Sequence, residues 1–269
     1  MSLQDTKSSE LREIILRLAG DGTAGHIGCA FSLVEIVHSL YADVINYDTS
    51  NPRSENRDLV CLSKGHGVMA LYAIFYKLGW IDNQDIENYF KDGSKLFGLC
   101  EDHIPGIEVS GGSLGHGLPV ATGMALGLSR KESHRHVYCI VGDGELNEGS
   151  MWEAILFAGH HNLKNLTIII DYNQYQAMGK TNDIINLNPL DDKFKSFGFD
   201  VLTCDGHNKE LITKNLKTLK ESKNPSVLIA NTTKGKGVSF MENDNLWHYK
   251  KMSPEEENSA VNELNKAIL

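Results

Sequence analysis

The stretch VGDGELNEGSMWEAILFAGHHNLKNLTIIIDYNQYQ, residues 141–176, decides the fold of this chain. It begins at the end of an apolar run, 137–141, and passes through Gly-Asp-Gly into a segment of helical periodicity, 148–161. A second apolar run, 166–170, ends in Asp-Tyr-Asn. Strand, glycine turn, helix and strand in this order predict a βαβ unit of a parallel sheet. The polar residues after each strand then lie at the sheet edge where such folds bind ligands.

Asp143 and Asn173 follow these two strands and offer a carboxylate and an amide oxygen to a divalent cation such as Mg²⁺. A main-chain carbonyl after Asn173 would be a third oxygen ligand, which leaves room for phosphate oxygens and water. Gly142 and Gly144 let a phosphate approach the backbone, and the helix start that follows presents free N–H groups to it. Gly-Asp-Gly alone is also an ordinary turn sequence. Because Asn173 ends the next strand, we interpret the pair as a metal and diphosphate site.

The sequences GDGELNEGSMWEA and DYNQ resemble the thiamine diphosphate motif of transketolases, and the resemblance extends over about residues 9–252. It implies an α/β fold with three layers, a mostly parallel sheet with helices on both faces. It implies thiamine diphosphate and Mg²⁺ as cofactors, with Asp143, Asn173 and the carbonyl of Tyr175 as metal ligands. It identifies residues 1–269 as a single diphosphate-binding domain, the N-terminal subunit of a split transketolase.

Four histidines are further candidates. On local grounds His26 is an ordinary residue of the glycine-containing loop 24–28. His66 follows a strand and is placed to face a ligand, with an incidental imidazole at a helix start as the alternative. The resemblance instead implies that His26 faces the substrate, that His66 lies beside the diphosphate, and that His248 approaches both. His103 is nearest to the family's donor-contacting histidine, but its segment is shortened, so either His103 takes that role or the donor site differs. His26, His103 and His248 are the catalytic candidates, suited to binding sugar hydroxyls and moving protons.

The long segment 91–117 has little periodicity and many glycines, and loops of that length usually carry function. The resemblance implies that Gly112 and Leu114 meet the aminopyrimidine of the cofactor. Glu148 corresponds to a family glutamate at the dimer interface near the cofactor, and a first-turn glutamate stabilised by the helix dipole is the alternative interpretation. The cofactor-binding set implied by the resemblance is His66, Gly112, Leu114, Gly142, Gly144, Glu148, Asn173 and His248.

Composition excludes several classes of protein. The formal net charge is −9, from 26 Lys and Arg against 35 Asp and Glu, with no basic stripe, so neither nucleic acid nor an acidic membrane is an expected partner. The five cysteines are widely spaced, which favours reduced thiols over a disulfide framework. The polar N-terminus carries no signal sequence, and we expect no apolar run of membrane-spanning length. A cytoplasmic protein is expected.

Apolar periodicity predicts the remaining elements. Helices are expected at 10–19, 31–41, 68–78, 82–90, 120–128, 208–221 and 254–269. Further strands are expected at 59–62, 199–203 and 226–230.

The resemblance implies a transferase that moves a two-carbon ketol unit from a ketose to an aldose, with sugars or sugar phosphates as substrates. In the family, this chemistry also requires a glutamate and an aromatic platform from a pyrimidine-binding domain. We therefore expect a separate C-terminal subunit that carries this domain, and an α2β2 heterotetramer. Two alternatives stay open: a thiamine diphosphate-dependent synthase acting on an unusual sugar aldehyde, and a cofactor-binding subunit without catalytic turnover.

Overall fold

The computed structural model describes residues 2–20 and 24–266. Its α-helices are α1 (Ser8–Ala19), α2 (Ile27–Ser39), α3 (Val68–Leu78), α4 (Asn83–Glu87), α5 (Gly117–Arg130), α6 (Gly149–His160), α7 (Thr181–Ile184), α8 (Leu190–Ser196), α9 (Lys209–Lys220) and α10 (Pro254–Lys266). Its strands are β1 (Ala24–Gly25), β2 (Leu59–Leu62), β3 (Val137–Gly142), β4 (Leu166–Tyr172), β5 (Tyr175–Gln176), β6 (Gly179–Lys180), β7 (Asp200–Asp205), β8 (Ser226–Asn231) and β9 (Lys250–Lys251).

Five parallel strands form the central sheet, in the order β2-β3-β4-β8-β7. The predicted βαβ unit is present: β3 and β4 pair in register from Val137 opposite Leu166 to Gly142 opposite Asp171, and α6 connects them. The central strands β3, β4 and β8 are nearly continuous apolar runs because both faces of the sheet are covered.

Alternate residues of each strand enter two different hydrophobic cores. Tyr138 and Ile140 point to one face, where they pack with buried residues of α1, α2, α3 and α9. Cys139 and Val141 point to the other face, where they pack with α5, α6 and α8. Helices therefore cover both faces of a parallel sheet, and the predicted three-layer α/β fold is confirmed.

Several element boundaries differ from the predicted ones. Helix α2 begins at Ile27, so the loop predicted at 24–28 ends at His26, which is the residue before the helix. The acidic helix predicted at 82–90 is confined to Asn83–Glu87, where Asp82 and Asp85 form reciprocal capping hydrogen bonds. The last three residues of the predicted closing helix, 267–269, lie outside the described residues.

Within residues 2–20 and 24–266, one helical stretch, Ile27–Val44, has the length and apolar composition of a membrane span. The expectation that no run reaches that length was wrong, because α2 continues without a break into the π-helical turn Leu40–Val44. Of this stretch, 83% is buried inside the structure, which is typical of a core helix.

The connections at the carboxyl edge of the sheet converge on one place. Hydrogen bonds continue past the strand ends: the Asp143 amide donates to the Asp171 carbonyl, and the Thr232 amide donates to the Tyr172 carbonyl. The short hairpin β5–β6 follows β4, and the pair β1–β9 brings the segment before α2 beside the segment after β8. The polar segments after β2, β3, β4 and β8 are therefore neighbours.

Candidate active site

A cavity of about 230 Å³ opens where these segments meet. It collects side chains from the carboxyl ends of four strands and from the segments on either side of them. The lining residues are His26, Cys29, Lys64, His66, Leu114, Gly142, Asp143, Gly144, Glu145, Asn173, Tyr175, Gln176, Ala177, Lys234 and His248. Most of the residues chosen from the sequence are thus gathered around one space.

Asp143 and Asn173 lie in this cavity at the ends of adjacent strands, 2% and 3% exposed. Thr181 Oγ1 donates to Asp143 Oδ2 at 2.9 Å. Asn173 Oδ1 accepts from the Tyr175 amide at 3.0 Å, in a turn that holds Gln174 at a φ of 65°. Burial raises the pKa of Asp143 to about 6. A nearby positive charge would favour the ionised form of a carboxyl group buried in this way.

These groups fit a hard cation. Among the described residues Asp143 takes part in no ion pair, and no cluster of three His, Cys, Asp or Glu side chains is placed to hold a metal ion. A cation here would therefore depend on the Asp143 carboxylate, the Asn173 amide oxygen, a main-chain carbonyl such as that of Tyr175, and oxygens of a ligand. Such a mixed oxygen set with ligand phosphate is typical of Mg²⁺ sites.

A buried ion pair that was not predicted lies beside the cavity. Lys64 Nζ is 2.5 Å from Asp171 Oδ2, and the two side chains are 8% and 0% exposed. Asp171 also accepts hydrogen bonds from Ser32, Asn173 and Thr232. Burial alone would lower the pKa of Lys64, but the Asp171 carboxylate raises it above its ordinary value. Lysine and aspartate at the ends of β2 and β4 are the only sequence signal for this pair.

Glu145 is a second residue that the sequence reasoning missed. Its carboxylate is 2% exposed and accepts from Ser63 Oγ at 2.6 Å, from the Gly115 amide at 3.0 Å and from the Gly142 amide at 3.3 Å. Burial raises its pKa. The carboxylate joins the segments after β2 and β3 to the one before α5, and so positions the Gly-Asp-Gly turn. The only indication in the sequence was that this glutamate directly follows the Gly-Asp-Gly turn.

Three of the predicted histidines are neighbours. The ring centroid of His26 lies 4.5 Å from that of His66, 5.5 Å from that of His248 and 4.7 Å from that of Tyr249. Burial and the neighbouring rings lower the pKa of His26 to about 3, and burial with the Lys234 charge lowers the pKa of His248 to about 4. Burial also lowers the pKa of His66. All three imidazoles are therefore neutral near pH 7.

Lys234 is held against His248 and was likewise not predicted. Its ammonium lies 3.0 Å from His248 Nδ1 and 2.9 Å from Asn245 Oδ1, and 5.5 Å from the centre of the Tyr175 ring. Because an ammonium only donates, His248 Nδ1 accepts and Nε2 carries the ring proton. Burial lowers the pKa of Lys234 to about 8. The Lys-Gly-Lys-Gly sequence at 234–237 was the available signal.

The loop that carries Lys234 is anchored by a chain of part-buried hydrogen bonds. His207 Nε2 accepts from the Thr233 amide at 2.8 Å, and His207 Nδ1 lies 2.9 Å from Glu35 Oε2. Glu35 in turn pairs with Arg12 at 2.7 Å. Since Nε2 accepts a main-chain hydrogen bond, the ring proton is on Nδ1 and points to the carboxylate. These contacts connect the loop to α1 and α2.

The remaining four predicted site residues are not all at the cavity. Leu114 lines it. Gly112 and Glu148 do not: the first packs against Leu99, and the second precedes α6, exposed, beside Gly115. His103 is exposed, with Nε2 2.9 Å from the Lys95 carbonyl and its ring 5.8 Å from that of Phe97. The structure does not bring His103 to the cavity, and its role as the donor-contacting histidine stays a prediction.

Comparisons with known proteins agree with this geometry. The family described as the transketolase thiamine diphosphate binding domain matches residues 7–264. One subunit of the apulose-4-phosphate transketolase from Actinobacillus succinogenes is 41% identical over 254 residues, which are 94% of this chain and 92% of that protein. The 6-deoxy-6-sulfo-D-fructose transketolase subunit SqwG from a Clostridium species is 37% identical over 262 residues, 97% and 95% of the two chains.

A solved structure extends the comparison to a larger protein. Transketolase from Campylobacter jejuni superposes with a TM-score of 0.87 at 30% identity, over 96% of this chain and 42% of that one. This chain therefore corresponds to less than half of that transketolase, whereas it matches nearly the full length of the two relatives named as subunits. The resemblance predicted from the sequence is confirmed, and the chain belongs to the family of transketolase thiamine diphosphate-binding domains.

Proposed function

We propose that this chain is the diphosphate-binding subunit of a two-chain enzyme that transfers a two-carbon ketol unit from a ketose to an aldose. One observation carries the proposal: Asp143 and Asn173 end adjacent parallel strands around a Gly-Asp-Gly turn, and the cavity beside them is bounded by His26, His66 and His248. Oxygen ligands for a cation, a backbone open to phosphate and neutral imidazoles are the groups that this reaction requires of the chain.

Thiamine diphosphate and Mg²⁺ are the proposed cofactors. Asp143, Asn173 and the Tyr175 carbonyl would hold the metal, and Gly142, Gly144, His66 and Leu114 would line the cofactor site, with Gly112 and Glu148 completing it once a second subunit is present. When bound, thiamine diphosphate supplies the electron sink that cleavage of a carbon–carbon bond next to a carbonyl requires. The chain itself provides the anchoring and the polar groups around that chemistry.

The proposed role of the histidines follows from their protonation. His248 carries its proton on Nε2 because Nδ1 faces Lys234, so it would donate a hydrogen bond to a substrate oxygen. His26 is neutral and is surrounded by three other rings, which restrict its orientation. A neutral imidazole can accept a proton from a sugar hydroxyl and return it. His26 and His248 are therefore proposed as the catalytic pair, with His103 as a further candidate in the assembled enzyme.

A second subunit is part of the proposal. Relatives of similar length are named as transketolase subunits, and this chain corresponds to 42% of the Campylobacter jejuni enzyme. We propose that residues 1–269 form one diphosphate-binding domain, and that a cytoplasmic partner chain supplies the pyrimidine-binding domain in an α2β2 heterotetramer. Sugars or sugar phosphates are the proposed substrates, in keeping with the sugars that appear in the names of the relatives.

Calorimetry tests the cofactor site. Thiamine diphosphate is titrated with and without Mg²⁺ into the wild type, into Asp143→Ala and into the control Asp92→Ala, which changes an exposed carboxylate. We expect Mg²⁺-dependent binding in the wild type and in Asp92→Ala, and none in Asp143→Ala. Absence of binding by the wild type, alone and with the candidate partner subunit, would refute the proposal.

A two-carbon transfer assay with the partner subunit tests the chemistry. His26→Ala and His248→Ala are each expected to lower turnover by about 10²-fold or more, the usual contribution of a positioned acid or base. His160→Ala, which removes an exposed imidazole on α6, is the control and should leave turnover unchanged. Unchanged turnover in both test variants would contradict the assignment, and products other than a two-carbon transfer would favour the synthase alternative.

A further inference from the structure

Gln176 is a polar residue in the cavity that belongs to neither the proposed metal ligands nor the proposed catalytic residues. It ends β5 and lines the cavity beside Asn173 and Tyr175. Its Nε2 atom is buried and has no hydrogen-bond partner among the described residues. A buried donor without a partner is uncommon in proteins and destabilises the folded state, so such a group at a cavity wall indicates a missing acceptor.

The side chain of Gln176 lies directly on the Gly-Asp-Gly turn. A Cβ atom built on Gly144 would be 2.8 Å from Gln176 Cβ and 3.5 Å from its Oε1. Any side chain at 144 would therefore displace the glutamine. The absence of a side chain at Gly144 allows the amide to rest beside the backbone that follows Asp143.

The surroundings favour an anionic acceptor. An amide NH₂ group only donates, so its missing partner is an oxygen with free lone pairs. Asp143 Oδ2 already accepts from Thr181, and Glu145 accepts from three groups. Lys64 and Lys234 line the same cavity and add positive charge around it. A phosphate oxygen above the glycine turn satisfies these conditions, and hydrogen bonds to charged acceptors are the stronger kind.

We propose that Gln176 Nε2 donates a hydrogen bond to an oxygen of the cofactor diphosphate held over Gly144, and so contributes to cofactor affinity. This inference rests on the proposed function, because it requires a diphosphate in the cavity. It adds a donor from the β5–β6 hairpin to the groups supplied by the strand ends. The hairpin then contributes a hydrogen-bond donor to the diphosphate site, in addition to the Tyr175 carbonyl that is proposed as a metal ligand.

Calorimetry on the full chain with Mg²⁺, and with the partner subunit where binding requires it, tests the inference. The probes are thiamine diphosphate and inorganic pyrophosphate, which carries only the diphosphate chemistry. Gln176→Leu removes the donor at similar size. We expect it to lower the affinity for both probes about tenfold, the factor equivalent to 1.4 kcal/mol. Gln176→Glu places a negative charge beside the phosphate and should lower the affinity for both probes further. Gln84→Leu, the same change at an exposed position on α4, is the control and should bind like the wild type.

The melting temperature of each variant without cofactor separates binding from folding. Gln176→Leu removes an unpaired buried polar group, so its melting temperature should equal or exceed that of the wild type. Affinity within twofold of the wild type in Gln176→Leu would overturn the inference and leave the proposed function intact. Weaker binding together with an equivalent loss of stability would also overturn it, because the glutamine would then be structural. No binding by the wild type would overturn the proposed function and this inference together.

Discussion

Replacing Lys64 by methionine tests the buried ion pair beside the cavity. The substitution keeps an unbranched apolar side chain and removes only the charge that lies 2.5 Å from Asp171 Oδ2. Asp171 is 0% exposed, and a methionine side chain has no hydrogen-bond donor to replace the lost ammonium. Two of its remaining hydrogen bonds come from Ser32 at 2.6 Å and Asn173 at 3.2 Å, and neither brings a positive charge.

Leaving a buried charge without its partner typically costs about 3–5 kcal/mol. We therefore expect Lys64→Met to lower the free energy of unfolding of the cofactor-free chain by about that amount. Adding Asp171→Asn removes the uncompensated charge and keeps an oxygen that can accept from Ser32. The double variant should recover about 2 kcal/mol of the loss, because coupled neighbours are not additive.

Urea unfolding at pH 7, followed by circular dichroism, measures these differences. Lys195→Met is the matched control, since its ion pair with Asp191 on α8 is solvent-exposed and should contribute little to the free energy of unfolding. The reasoning would be refuted by a loss below about 1 kcal/mol in Lys64→Met, or by a double variant no more stable than the single one.

Three further predictions concern a buried histidine, two helix glycines and the five cysteine thiols. Burial lowers the pKa of His136 to about 4. Between pH 6.5 and 4 this histidine is therefore protonated in the unfolded chain and neutral in the folded chain, so the free energy of unfolding falls by up to about 3 kcal/mol as the pH drops. His136→Gln should remove about 2 kcal/mol of the stability difference between pH 7 and pH 4.5 in urea titrations, and an unchanged difference would contradict this. Gly159→Ala places a Cβ in steric overlap with the Phe197 carbonyl oxygen and should destabilise the fold by about 1–3 kcal/mol. The matched change Gly123→Ala meets no atom within 4 Å and should stabilise α5 by about 0.5–1 kcal/mol. Equal melting temperatures of the two variants would contradict this prediction. All five thiols are buried, so none should react with Ellman's reagent within minutes until denaturant is added, and a fast-reacting native thiol would count against the packing.

The parallel sheet was predictable because its strands are short apolar runs followed by polar turn residues. The predicted strand 59–62 matches β2, and the predicted helix 68–78 matches α3. The start of α2 was not predictable at the same level: residues 27–30 are buried in the core all round the helix, so they show no amphipathic period. The π-helical turn Leu40–Val44 continues α2 beyond residue 41, where the predicted helix ends.

Site residues were found where residue type and position, or a family motif, indicate a function. Asp143 and Asn173 were visible because carboxylates and amides after strands indicate ligand binding, whereas His26, His103 and His248 depended on the family resemblance. Lys64, Glu145 and Lys234 were missed because each is an ordinary polar residue until its partner is known, and the partners lie 107, 82 and 14 positions away in the chain. No local pattern specifies which distant charge a buried lysine will meet.

The sequence by itself determined the class of fold, the βαβ unit at 137–172 and the family, because these depend on apolar periodicity and on contiguous motifs. Only the tertiary structure decided which groups share the cavity: it brought His26, His66 and His248 together, left His103 on the surface and buried the amide of Gln176 without a partner among the described residues. The physical reason is that burial and electrostatic pairing depend on distances in space, which strand order and loop packing set, and not on separation along the chain.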